Sequence, residues 1–379
     1  MARAYLDHAS TTTARPEAMA ALLEWSTLVA ADPGRIHEEG RVMRDALETA
    51  REQVASLVGV TGRQVIFTSG ATEAINAAVW GVTRKFPGAP ILLANVEHSA
   101  VRDASARLAP VEVLPVDMAA KLDLHALSKR LRDDRHPRPA LVHCQWANHE
   151  VGTLQPVQQV VNLCREHDVL VHVDAAAACG HLPMELNQLG ADLVSISAHK
   201  LGGLPGSGAL IVRRGLRVDP LIVGGEQERA RRAGLEALPA HLAFGAAAHA
   251  LSRSTMDHET AVARAQIDSL IASATAVDGV EVVGPTEWEE RLPYLVCLGV
   301  DGVEAEPVLI GLDRAGVAAH SGSACASESI EPSPVLEAMG VDPSHSLRLS
   351  VGWPTSDDDI TAFVQTFAGV VEGLRALRG

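Results

Sequence analysis

An α/β fold is predicted, with a large, mainly parallel sheet and a smaller α+β domain, and three observations predict it. Short apolar runs alternate with helix-length stretches over the first part of the chain, the pattern of βαβ units. Polar residues fall just past the ends of those runs, where an open α/β sheet holds its ligand. The 379 residues also exceed one simple core and suggest about two packed domains.

Taken in order, residues 4–12 begin strand-like and end in hydroxyls. Pro16 opens a helical pattern that runs to about residue 31, as proline does at a first helical position. A second, amphipathic helix is expected over 41–58. The strand 64–68 then enters Ser69-Gly-Ala-Thr-Glu73 and a helix through Trp80. A strand, a small turn and a helix leave backbone N–H groups at a helix N-terminus, a geometry that binds phosphate. The alternative is that Ser69 or Thr72 simply caps the helix.

The strand 90–94 leads to His98, and helix 101–108, strand 111–114 and helix 124–131 follow. Strand 140–146 ends at Asn148 and His149. After helix 157–167, strand 169–173 ends at Asp174. Strand 191–197 ends at Ser197, His199 and Lys200, and 209–213 is another strand. Residues 224–234 form a charged loop. Helices 237–252 and onward to about 276 lead out of the first domain. Strands 280–283 and 294–298 and helices 307–315, 334–339 and 357–377 make the second. The expected division is a large domain over 14–252 and a small domain built from 1–13 and 253–379.

Composition excludes several classes. A formal net charge of -15 argues against nonspecific nucleic-acid binding, which needs a positive stripe. The N-terminal residues have no apolar signal core, and no run approaches transmembrane length. The 5 cysteines are widely spaced, without CxxC, which favours a reducing cytoplasm over a disulfide framework. No spacing of the histidines fits a metal site.

Lysine is confined to Lys85, Lys121, Lys129 and Lys200. Only Lys200 stands between a buried strand and a glycine-rich segment. A lysine so placed is either paired with a carboxylate or covalently employed through a desolvated amine. Asp174 at a neighbouring strand tip reads as a helix cap or as a carboxylate for a pyridinium nitrogen. Pyridoxal phosphate (PLP) needs a lysine for its aldehyde, an acid for its ring nitrogen and a helix N-terminus for its phosphate, and Lys200, Asp174 and the Ser69–Thr72 turn match those needs. Cys325, in His320-Ser-Gly-Ser-Ala-Cys-Ala-Ser-Glu-Ser329, has only small, flexible neighbours, unlike Cys297 in its apolar run. It reads as a thiol on a mobile loop: an exposed cysteine of no consequence, or a nucleophile.

Tyr5-Leu-Asp-His-Ala-Ser-Thr-Thr12, Phe67-Thr-Ser-Gly-Ala-Thr-Glu73, Glu97-His98, His172-Val-Asp174, Ser197-Ala-His-Lys200, Ser321-Gly-Ser-Ala-Cys325 and Leu347-Arg-Leu-Ser350 together resemble the cysteine desulfurases of the class V aminotransferase family. The cysteine loop resembles that of their long-loop group. The resemblance covers nearly the whole chain. It implies a fold type I PLP enzyme, a homodimer, and conversion of L-cysteine to L-alanine with a persulfide on Cys325 handed to an acceptor protein. It also implies the roles. Lys200 would hold PLP and act as base, Asp174 would pair with the ring nitrogen, and His98 would stack on the ring and shuttle protons as a catalytic residue. Ala71, Thr72, Ser197 and His199 would hold the phosphate. Arg348 would bind the substrate carboxylate, with Asn148 and His149 beside it.

Four positions depart from the family pattern. His149 replaces an asparagine, Ala177 the glutamine that reaches the cofactor's phenolic oxygen, Leu235 a threonine given to the partner's phosphate, and Glu226 a glycine. Weakened or altered PLP binding is the expectation, with His149 restoring the phenolic-oxygen contact. Rival readings are a selenocysteine lyase, a PLP β-lyase that uses no protein thiol, and a non-catalytic scaffold of the same fold.

Overall fold

The computed structural model describes residues 3–28, 31–321 and 332–377, so Cys325 lies outside the described residues. The strands are β1 Ala4–Tyr5, β2 Val65–Thr68, β3 Ile91–Ala94, β4 Val111–Leu114, β5 Leu141–Gln145, β6 Leu170–Asp174, β7 Leu193–Ser197, β8 Gly208–Val212, β9 Val280–Val283, β10 Leu295–Val300, β11 Val317–Ala318 and β12 Ser346–Ser350. Every residue of β5, β7 and β8 is buried. Strands covered on both faces read as unbroken apolar runs, and these do.

The main sheet has the order β2-β8-β7-β6-β5-β3-β4. Neighbours from β4 to β7 are parallel; β8 runs antiparallel to both β7 and β2. With β8 reversed, β2 again points the same way as β7. The carboxyl ends of β2, β3, β5, β6 and β7 therefore share one edge, and the polar residues named above follow those ends.

Alternate residues feed two apolar layers. Ile91, Leu93, Leu210 and Val212 pack with Ile75, Val79 and Val101 from helices Ala71–Lys85 and Ser99–Leu108. Leu92, Val142, Val173 and Ile211 join the opposite layer. That second layer continues without a break into the sheet β12-β10-β9, so both sheets share one core. No helix among the described residues is long and apolar enough to cross a membrane.

Two helix limits differ from expectation. The first helix, Pro16–Ser26, stops short of residue 31. The Ser26 and Thr27 hydroxyls bond back to the Leu23 and Glu24 carbonyls at 2.6 and 2.8 Å, competing with further helical turns. The second, Glu38–Leu57, starts before residue 41 because His37 caps it, its Nδ1 accepting from the Gly40 N–H at 3.2 Å. Glu38 and Glu39 in its first turn suit the positive end of the helix dipole.

Candidate active site

β2 passes through Ser69 into Gly70, which stands at the N-cap of helix Ala71–Lys85 with no side-chain cap. The alternative, a cap by Ser69 or Thr72, is therefore not what forms. The Ser69 N–H instead donates to Glu73 Oε2 at 2.9 Å, and Arg232 grips the same carboxylate. β8 runs close behind the cap, and it is Gly208 on β8 that must be small. A Cβ on Gly208 would lie 2.6 Å from the Gly70 backbone, whereas a Cβ on Gly70 would meet nothing within 4 Å. Ser69, Gly70, Ala71 and Thr72 thus wall a cavity of about 390 Å³ with an uncapped helix end.

The other strand ends complete the cavity. His98, beyond β3, caps helix Ser99–Leu108, its Nδ1 accepting from the Ala100 N–H at 3.1 Å. In the neutral ring this leaves the proton on Nε2. At the tip of β6, Asp174 Oδ1 accepts from the Ala176 N–H at 3.0 Å and from Ser195 Oγ at 3.2 Å. Past β7, Ser197 Oγ is buried without a hydrogen-bond partner among the described residues. His199 Nδ1 lies 3.2 Å from Thr11 Oγ1. Lys200 ends the single 3-10 turn Ala198–Lys200 and also lines the cavity.

Arg348, on β12, crosses from the smaller sheet. Its Nη2 donates to Asp7 Oδ1 at 2.8 Å and Ser10 Oγ at 2.7 Å, and Nη1 to the His149 carbonyl at 3.0 Å, while Nε is buried without a partner among the described residues. Asp7 thus holds the guanidinium against the cavity.

One expected site residue is not at the wall. Asn148 is buried and absent from the cavity lining. Its Oδ1 accepts from the Glu150 and Val151 N–H groups, and its Nδ2 donates to the Val96 carbonyl. It shapes the turn that presents His149. Three residues were missed. Ser10 and Gln145 line the cavity, and Glu97 lies behind it with Oε1 accepting from the Gln145 N–H at 2.7 Å. An acid beside His98 after an apolar strand was the available signal for Glu97.

Burial sets the protonation here. It lowers the His98 pKa, pushes His149 well below the ordinary imidazole value and brings His199 to about 4. All three rings are neutral at pH 7. Burial raises the Glu97 carboxyl to about 8, with Asp174 adding to the rise. The folded state therefore binds this proton more tightly than the unfolded chain. Its stabilisation is present below the ordinary carboxyl value near 4.5 and is lost as pH rises through about 8. Glu97→Gln should accordingly gain stability relative to the parent as pH rises from 5 to 8, read as the difference in urea midpoint. A pH-independent difference would remove this assignment.

The family model for Aminotransferase class-V matches residues 4–363. The cysteine desulfurase IscS of Dictyoglomus turgidum is 36% identical over 383 residues, covering 98% of this chain and 95% of that protein. Among solved structures, a NifS-like protein superposes with a TM-score of 0.90 at 27% identity, covering 98% of this chain and all of that one. SspA in complex with cysteine has a TM-score of 0.79 at 25% identity, covering 92% of this chain and 98% of that one. The chain belongs to the class-V aminotransferase family, among the cysteine desulfurases.

Within this cysteine desulfurase, the four departures fall in different settings. Ala177 lines the cavity with no side-chain polar atom to offer, and its carbonyl accepts from Tyr294 Oη at 2.8 Å. His149 lines it beside His98, ring centroids 5.1 Å apart. Glu226 and Leu235 are exposed, Leu235 at 63%, on the segment around the Gln227–Ala230 turn.

Proposed function

We propose that this cysteine desulfurase uses PLP to take sulfur from L-cysteine onto Cys325, releases L-alanine, and passes the sulfur to an acceptor protein. One observation carries the reading. A lysine, a carboxylate, an uncapped helix end and a buried arginine, each from a different element, line one cavity. Two further observations support a phosphorylated pyridine there. Among the described residues Ser197 Oγ is buried with no partner and needs an acceptor, and the space beside Gly70 at the helix N-terminus is open.

PLP, when bound, supplies an electron-accepting ring that acidifies the substrate α-carbon. Asp174 would keep a proton on the ring nitrogen. The helix N-terminus at Ala71 and Thr72, with Ser197 and His199, would hold the phosphate. His98, its proton on Nε2, would stack on the ring. Arg348 would bind the carboxylate of L-cysteine, and Lys200 Nζ would move the α-proton. The Cys325 thiolate would attack the substrate sulfur, forming an S–S bond. The electrons of the broken C–S bond would stay with the carbon fragment, which takes up a proton and leaves as alanine. His149 would supply the phenolic-oxygen contact that Ala177 lacks.

A second copy of the chain is part of the proposal, with 14–252 acting as the large domain and 1–13 with 253–379 as the small one. Exposed apolar side chains at Ile36, Val223 and Leu235 support a covered face. The cysteine usage supports a cytoplasmic setting.

Cys325→Ser tests the thiol's role. Alanine release from L-cysteine should be abolished while the visible absorbance of bound PLP persists. Continued alanine release would mean a β-lyase that uses no protein thiol. Faster release from selenocysteine, persisting in the variant, would mean a selenocysteine lyase.

A further inference from the structure

Behind the cavity, two aromatic side chains tie the smaller sheet to the lysine turn. Tyr294 directly precedes β10, the strand that pairs with β12, and Cys297 lies opposite Arg348 in that pairing. The Tyr294 carbonyl also accepts from the Val351 N–H at 2.9 Å. Tyr294 therefore moves with the strand that carries Arg348. Its ring is buried and stacks on His181 at a centroid distance of 4.1 Å and an interplanar angle of 28°.

Each ring then reaches a main-chain carbonyl of a residue that lines the active-site cavity. Tyr294 Oη donates to the Ala177 carbonyl at 2.8 Å. His181 Nε2 lies 3.1 Å from the Lys200 carbonyl. A carbonyl only accepts, so His181 must carry its proton on Nε2 and donate. Glycine at 180 makes this approach possible. Its φ is +84°, and a Cβ there would lie 2.7 Å from Leu201 Cβ. His181 and Tyr294 also line a separate cavity of about 180 Å³, together with Gln266 and Trp353.

We propose that His181 and Tyr294 are positioning residues that set the main chain of Lys200 and Ala177 relative to the Arg348 strand. Arg348 holds one end of the substrate, and Lys200 works at its α-carbon. A stacked pair bonded to both carbonyls fixes the spacing between those two groups. Ala177 itself offers no side-chain polar atom to the cavity, so its main-chain placement is what the Tyr294 bond sets there.

The inference rests on the PLP reading above. Its test compares His181→Phe, which keeps the stacked ring and loses the donor, with His181→Gln, whose amide nitrogen restores a donor near the Nε2 position. Tyr294→Phe removes only the hydroxyl. Holoenzyme is followed by PLP release into an apo-acceptor and by the pH titration of the visible band, with the thermal midpoint of the apo form as the folding control. Expected for His181→Phe is PLP release faster by about fivefold, the size of one neutral hydrogen bond, and a displaced titration midpoint. His181→Gln should restore both and Tyr294→Phe should fall between, with apo midpoints unchanged. Release rate and titration unchanged in His181→Phe overturn the proposal, as does a loss that tracks the apo midpoint alone or that His181→Gln fails to restore. A parent protein that binds no PLP overturns the PLP reading itself.

Discussion

Lys200→Ala should eliminate alanine release from L-cysteine, by at least about 10³-fold, since losing a general base alone costs on the order of 10²–10⁴-fold. The variant also loses the covalent anchor proposed for PLP. The scaffold around it should survive. The 3-10 turn Ala198–Lys200 is held through main-chain atoms, with the Lys200 carbonyl on His181 and the Ala198 N–H on the Ser207 carbonyl at 3.1 Å. Lys200 is partly exposed at the cavity wall, so its truncation should move the urea midpoint little. Ala71, Thr72, Ser197 and Asp174 remain, and some reversible PLP binding should persist without the visible band of a lysine-bound cofactor. The measurement is alanine formed per protein chain with added PLP. Retention of a tenth of the parent rate would take the role away from Lys200. A parent protein that releases no alanine would favour a non-catalytic scaffold.

Glu228→Ala should destabilise the fold by about 3–5 kcal/mol, the usual consequence of removing one partner of a buried ion pair. Glu228 and Arg51 are both 2% exposed at the side chain. Arg51 Nη1 and Nη2 donate to the two Glu228 oxygens at 2.5 and 2.7 Å, and the Phe67 N–H donates to Oε2 at 2.9 Å. Arg51 also lies over the Phe67 ring, 4.8 Å from its centroid. Removing the carboxylate leaves the Phe67 N–H of β2 without its acceptor and the buried guanidinium with only Glu48 Oε1 at 3.1 Å and the Val65 carbonyl at 3.2 Å. The pair also holds an unfavourable backbone. Glu228, Arg229 and Ala230 have φ of 50°, 60° and 61°, a left-handed turn of non-glycine residues at about 1–2 kcal/mol each. Freed of its anchor, that turn should relax and release Arg232 from Glu73 at the start of helix Ala71–Lys85. The urea midpoint of the apo form reads the loss, and Arg51→Met with Glu228→Leu should recover part of it. A loss below about 1 kcal/mol would show the pair to be dispensable.

Both predictions concern residues whose legibility differed. Lys200 was visible because strand periodicity and a glycine-rich segment bracket it, and both are local signals. Glu228 was not: Arg51 and Glu228 lie 177 residues apart, and each looks like an ordinary charge on a helix or loop. Asn148 shows the opposite error. Its position beside His149 suggested a ligand contact, but a strand-end asparagine bonds to its own turn as readily as to a substrate. His181 carried no sequence signal, since its partner is a main-chain carbonyl and carbonyls are the same at every residue.

The alternation of apolar runs and amphipathic helices determined the α/β class, and the residues after each strand determined which side chains could reach one edge. Local periodicity suffices for that, because a strand's direction and faces follow from its own residues. Only the tertiary structure decided that Gly70 caps a helix with no side chain, that Ser197 Oγ has no partner among the described residues, that Asp7 and Ser10 hold Arg348, and that Tyr294 and His181 grip the main chain behind the lysine. Those facts depend on contacts between distant segments, which the order of β8, β7 and β6 and the docking of β12 bring about, and no short-range pattern encodes them.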